Sequence, residues 1–197
     1  MEDYMQRPQA TILMDNGAKI VIELYPEQAP NTVNSFIWLA RRGCYDNYAI
    51  QRIVPGWVAD MSYTAFGRED CKYLIPNESR CQGVDNTLPM DVGSVGMGGY
   101  AIDEISGGEF FFPLAYSKKL DGRYPAFGLV RSGLEEVMRW ERVELVPVEP
   151  APGLKFEINR PVQPLIIRSV QIETWGVNYD EPGRLRGHEL PYYWRQP

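Results

Sequence analysis

The 197-residue chain carries 20 Lys and Arg against 26 Asp and Glu, a formal net charge of −6. That acidic balance excludes the basic footprint of a nucleic-acid binder. No apolar run approaches the roughly 20 residues that span a bilayer, so no membrane partner is expected. The length suits a single domain, and the 18 Gly and 16 Pro imply many turns, favouring a β-rich architecture over a helical bundle.

Met1-Glu2-Asp3-Tyr4 is acidic and polar, the reverse of a signal peptide's basic start. Cys44, Cys71 and Cys81 are odd in number and lack Cys-x-x-Cys spacing, which reads as reduced, inert thiols. Both features give a cytoplasmic expectation. The single histidine, His188, lies in a polar tail and excludes a His-based metal site or a Ser-His-Asp triad. No metal and no cofactor are expected.

In chain order, 10–15 and 18–25 flank Asn16-Gly17, the strongest short hairpin signal. Residues 30–42 read as a helix: Asn31 can cap it, Val33, Phe36, Ile37 and Ala40 recur at helical spacing, and Gly43 can end it. Next, Ile50-Gln51-Arg52-Ile53-Val54-Pro55-Gly56-Trp57-Val58-Ala59-Asp60 alternates apolar and polar residues and breaks at Pro55-Gly56, as a kinked, half-buried strand does. Arg52 stands there among Ile, Val and Trp. On those residues alone it is either a surface cation or a charge planted in an apolar groove.

The stretch 64–89 is loop-like, and short strands are expected at 93–97, 109–116 and 126–131. Ser132-Gly133-Leu134-Glu135 is a capping-box pattern opening a second helix to about Val143. The proline-rich 146–164 reads as an extended excursion, 165–175 as a last strand, and 176–197 as a tail wrapping the surface. Some seven or eight short strands with two separated helices predict a mainly β fold, a closed or nearly closed antiparallel barrel. Residues 1–175 form the domain, with the excursion at about 144–164, and 176–197 the C-terminal tail.

The order of these segments resembles the cyclophilins, in a divergent, bacterial-like form. Ile22-Glu23-Leu24-Tyr25-Pro26, Ala29-Pro30-Asn31-Thr32-Val33-Asn34-Ser35-Phe36 and Gly43-Cys44-Tyr45-Asp46 are similar to the family's opening. Ile50-Gln51-Arg52-Ile53-Val54-Pro55-Gly56-Trp57 is similar to its Phe-His-Arg-Val-Ile-Pro-Gly-Phe, and Leu120-Asp121-Gly122 and Phe127-Gly128 follow in order. The resemblance covers 11–137 and the last strand; 144–164 and 176–197 lie outside it.

The resemblance implies a closed eight-stranded antiparallel β-barrel capped by two α-helices, and a peptidyl-prolyl cis-trans isomerase (rotamase) acting on proline-containing peptides and folding proteins, as a monomer. It places the catalytic arginine at Arg52. The proline pocket falls on Trp57 and Phe111, with Val58, Met97 and Leu120 completing the lining. Gly98 and Gly99 stand where the family's backbone pairs with substrate, and Tyr124 at the family's usual histidine. The departures are Asp60 and Glu109 for glutamines, and Lys119 for a tryptophan, which implies weak binding of cyclosporin-type drugs. The two acids either pair with Arg52 and hold its orientation, or a carboxylate occupies the guanidinium fork and weakens catalysis or selects basic residues near the substrate proline. No sugar-binding signature accompanies them to support a glycosidase pair. The alternative function is a proline-peptide binding module with little or no isomerase activity; a more distant one is an interaction domain acting through the tail.

Overall fold

The computed structural model describes residues 6–61, 69–149, 157–191 and 194. The acidic start, the opening of the expected loop at 64–68 and the middle of the excursion at 150–156 lie outside the described residues. The elements are β1 (Gln9–Met14), β2 (Lys19–Leu24), α1 (Pro30–Arg41), β3 (Tyr48–Ala49), β4 (Arg52–Val54), β5 (Val58–Asp60), β6 (Leu74–Pro76) and β7 (Ser94–Met97). They continue with β8 (Glu104–Ser106), β9 (Phe110–Pro113), β10 (Ala126–Ser132), α2 (Leu134–Arg139), β11 (Leu145–Pro147), β12 (Asn159–Pro161) and β13 (Ile166–Glu173).

The fold is mainly β with two helices. In place of a closed eight-stranded ladder, nine strands form one curled sheet in the order β3-β13-β1-β2-β10-β7-β9-β5-β4. Two small sheets, β6-β8 and β11-β12, stand beside it. The strands missed in the sequence are the shortest ones: β3 has two residues, and β6, β8, β11 and β12 have three each, too few to display a two-residue alternation.

Inside the curl, Phe36 and Tyr45 meet Phe110 edge-on, with ring centroids 5.3 Å apart in both pairs. Phe112 meets Trp140 in the same manner at 5.7 Å. Val33, Phe36, Ile37 and Ala40 form the buried stripe of α1 expected from their spacing.

The helix starts differ from expectation. Asn31 does not cap α1, because Pro30 already occupies its first turn. Instead Glu78, 46 residues along the chain, accepts hydrogen bonds from the Thr32 backbone N–H at 2.7 Å and from the Asn31 N–H at 3.0 Å. A carboxylate there also complements the positive end of the helix dipole. The capping box at Ser132 does not form either. Ser132 ends β10, and Gly133 has φ +82 with the space for a Cβ taken by Lys19 O at 2.0 Å. Buried Glu136 does the tying instead, accepting bonds from Trp140 Nε1, Arg139 and Asn16 Nδ2.

Cys44 and Cys71 form a disulfide, which overturns the reading of three reduced thiols; Cys81 is free and exposed. The bond also removes the thiol argument for a cytoplasmic setting. No helix among the described residues is long and apolar enough to cross a membrane.

Buried Ser35 links α1 to Tyr73 Oη and to the carbonyl of Gly107, and Gly107 N–H returns to Tyr73 O at 2.9 Å. Burial pushes the Tyr73 hydroxyl from 10.0 up to about 12, against the opposing pull of Ser35 and Arg184. Its folded pKa thus lies above the unfolded value, so its stabilisation is complete below pH 10 and is lost as pH climbs toward 12. Unfolding free energy followed through that window is expected to fall, and Tyr73→Phe to flatten part of the fall. Glu78→Ala should lower stability by about 1–2 kcal/mol in urea denaturation, the usual worth of a lost N-terminal cap.

Candidate active site

The site begins as a hairpin. β4 and β5 turn at Pro55-Gly56, with Gly56 at φ +70, and pair Arg52 with Asp60, Ile53 with Ala59 and Val54 with Val58. The next ladders pair Asp60 with Phe111, Phe111 with Gly96, and Gly96 with Ala126. Arg52, Asp60, Phe111, Gly96 and Ala126 therefore form one row across five strands. Directly paired residues share a face, so this row stands opposite to Ile53, Ala59 and Phe112, which point into the core.

On the outward face an apolar cluster gathers Val54, Val58, Met90, Phe111, Leu120 and Ala126, with Trp57, Leu88 and Tyr124 against it. The Phe111 and Tyr124 rings meet edge-on at 5.9 Å. Gly96 leaves the room that Phe111 needs, since a Cβ there would lie 2.5 Å from the ring. Trp57 is held by a hydrogen bond from its Nε1 to Ser117 Oγ at 3.2 Å.

Arg52 lies at the end of the row and is 5% exposed. Its Nη1 donates to Asp60 Oδ2 at 2.5 Å, its Nε donates to the Glu157 carbonyl at 2.8 Å, and its Cζ sits 5.1 Å from the Trp57 ring centroid. The Glu157 contact comes from the proline-rich excursion, where β11 and β12 form a hairpin and β12 packs on β4. Among the described residues a carboxylate, a carbonyl and an aromatic face thus support the guanidinium.

The structure brings Arg52, Trp57, Val58, Asp60, Phe111, Leu120 and Tyr124 together on this face. Met97 does not join them. It pairs with Phe110 and is 0% exposed in the main core, because its register gives it the opposite face from Gly96. The two acids also part company. Asp60 pairs with Arg52, whereas Glu109, 2% exposed, accepts bonds from Tyr100 Oη at 2.6 Å and Trp194 Nε1 at 2.8 Å.

Gly98 and Gly99 do permit a close backbone approach, but the chain itself makes it. Gly98 N–H donates to Glu109 O and its carbonyl accepts from Ser106 N–H. A Cβ on Gly99 would lie 2.8 Å from Glu104 O. Among the described residues no cluster of three metal-ligating side chains forms.

Several neighbours of the site escaped the sequence reading. Val54 and Ala126 were accessible by parity, since they share the face of Val58 and Phe111. Met90, Tyr100, Trp194 and the Glu157 carbonyl carried no local signal, because loop or tail geometry delivers them.

A family model described as cyclophilin type peptidyl-prolyl cis-trans isomerase/CLD matches residues 10–172. Peptidyl-prolyl cis-trans isomerase B of Bacillus subtilis is 34% identical over 141 residues, covering 67% of this chain and 95% of that protein. Peptidyl-prolyl cis-trans isomerase ppi1 of Schizosaccharomyces pombe is 31% identical over 166 residues, 81% of this chain and 97% of that one. Among solved structures, a cyclophilin type isomerase of Cryptosporidium parvum superposes with a TM-score of 0.65 at 18% identity, over 85% of this chain and 97% of its own. The matched residues 10–172 include every strand of the row from Arg52 to Ala126, and the chain belongs to the cyclophilin-type peptidyl-prolyl cis-trans isomerases.

Proposed function

We propose that the face bearing Arg52 and Phe111 turns over X–Pro bonds in peptides and proteins, with Arg52 donating a hydrogen bond to the prolyl nitrogen. The observation that carries this is the cross-strand row, which sets a fixed cation beside an apolar cluster on one face of the sheet. Amide resonance holds the X–Pro bond behind a barrier of about 18–20 kcal/mol. Twisting the bond localises the lone pair on nitrogen, and a guanidinium can meet it there. No nucleophile or proton shuttle is required.

Phe111, Leu120 and Tyr124 suit the grip on a pyrrolidine ring while the acyl side rotates, since rigid rings bury area at small entropic cost. A hydrogen bond to a charged donor is worth about 1.5–3 kcal/mol. An acceleration of about 10⁵ needs roughly 7 kcal/mol. The pocket and strand-like pairing with the substrate supply the remainder in this reading.

A guanidinium carries five N–H donors in a planar fork, so it can serve several acceptors at once. On that basis Asp60 and the Glu157 carbonyl aim Arg52. The curled sheet is read as a barrel on the same footing: its outermost strands, β3 and β4, are joined in the chain by Ile50 and Gln51 alone.

One observation favours a second reading, a proline-peptide binding module with little turnover. Arg52 is deeply buried and already engaged by a carboxylate. The two readings separate in a protease-coupled assay on a short X-Pro-Phe peptide. The isomerase reading expects acceleration over buffer, a loss of about 10²-fold or more in kcat/KM for Arg52→Ala, and near-normal peptide binding in that variant. It expects Asp60→Ala to lower kcat/KM and Asp60→Gln to retain most of it. A rise in activity on removing Asp60 would instead mean that the carboxylate blocks the fork.

A further inference from the structure

Arg52, Asp60 and Phe111 take their orientation from strand register, but Trp57 does not. Val54 pairs with Val58, so Pro55, Gly56 and Trp57 form the loop of the β4–β5 hairpin and Trp57 stands outside the ladder. The loop is a tight turn closed by Trp57 N–H, which donates to Val54 O at 3.0 Å. Pro55 at its second position and Gly56 with φ +70 at its third make it type II. Trp57 supplies the N–H that closes the turn, so the Gly56 N–H must find its partner elsewhere.

That partner is Glu141. Gly56 N–H donates to its Oε1 at 2.6 Å, across 85 residues of chain, in a charge-assisted bond of the stronger kind. Glu141 belongs to the short 3-10 turn Trp140–Arg142 that follows α2 and packs on β4. The residue before it is firmly seated. Trp140 is fully buried, with its ring against Phe112 and its Nε1 donating to Glu136.

A type II turn has a neighbouring alternative. Rotating the Pro55–Gly56 peptide gives type I, in which the third residue has φ of about −90°. The rotation carries the Gly56 N–H to the other side of the turn, away from Glu141, and changes how the chain enters Trp57. Beyond Trp57 the backbone is held independently, because Leu114 N–H donates to Trp57 O at 2.9 Å. The ring between these points lies 5.1 Å from Arg52 Cζ and reaches Ser117 through its Nε1. Holding the peptide therefore holds the ring, and the ring supports the cation.

We propose that Glu141 is a positioning residue for isomerisation: its carboxylate locks the Pro55–Gly56 peptide and, through Trp57, the orientation of Arg52. The proposal rests on the reading of Arg52 as the donor to the prolyl nitrogen. Glu141 acts through the turn, not on the reacting atoms.

The test uses the full chain and an X-Pro-Phe peptide. It follows kcat/KM, Kd for the peptide, the urea unfolding midpoint, and the amide signals of Gly56 and Trp57 in isotope-labelled protein. Glu141→Ala should lower kcat/KM by about tenfold, short of the roughly 10²-fold that a displacement of about 1 Å costs. Its Kd should change far less. Glu141→Gln, which keeps an acceptor at the same reach, should restore most of the rate. In Trp57→Ala, where the ring to be positioned is gone, Glu141→Ala should add little further loss. Flipping of the freed peptide should broaden the Gly56 and Trp57 amide signals in Glu141→Ala, while those of the wild type stay sharp.

An unchanged kcat/KM in Glu141→Ala overturns the proposal, as does a Glu141→Gln rate no better than that of Glu141→Ala. Losses that add in the Trp57→Ala background overturn it as well. So does a loss explained by a smaller folded fraction with sharp Gly56 and Trp57 signals, which leaves Glu141 a structural contact only. If the wild type turns over no peptide, the isomerase reading fails by itself, and the amide signals of Glu141→Ala still decide whether the carboxylate locks the turn.

Discussion

The two-residue period of the β-strand is the constraint on which the rest of the structure depends. Phe110, Phe111 and Phe112 are chemically identical neighbours, yet the pleat sends the outer two into the core and the middle one to the opposite face. Each ladder transmits that choice to the next strand. Phe111 fixes Asp60 and through it Arg52 on one side, and Gly96 and Ala126 on the other. A slip of one residue that inverted β4 would drive a guanidinium into an aromatic core. The cost of burying such a charge without partners makes the register strongly specified.

The second requirement is electrostatic. A buried Arg52 needs hydrogen-bonding partners, and removing one partner of a buried pair typically costs about 3–5 kcal/mol. Asp60 therefore serves folding and orientation together. The excursion adds the Glu157 carbonyl without adding charge, so the guanidinium gains a second fixed edge and the pair keeps its balance. Glu109 is managed separately, by hydroxyl and indole donors from Tyr100 and the tail. Among the described residues the two carboxylates thus have different partners.

Much of this was legible in the chain. The helical spacing of Val33, Phe36, Ile37 and Ala40 marked α1 and its buried face, the alternation in 165–175 marked β13, and a short strand was expected at 126–131, where β10 stands. The ordered motifs around Arg52 pointed to the family. What was not legible came from long-range geometry. Glu78 caps a helix 46 residues before it, Cys44 finds Cys71 across 27 residues, and Trp194 reaches Glu109 across 85; local patterns carry none of these. Met97 is a different failure. Its pairing with Phe110 follows from the same parity that placed Phe111, but carrying a lining residue over by resemblance alone passed over the pleat.

The short strands at the margin of the large sheet bear on solubility as well as shape. A sheet margin is a row of unpaired N–H and C=O groups that can template another chain. Here the two margins are strands of two and three residues, β3 and β4, and β12 packs over the second. They are also consecutive in the chain, so neither presents a long, flat border. Neither margin of the large sheet thereby offers another chain a long strand on which to aggregate.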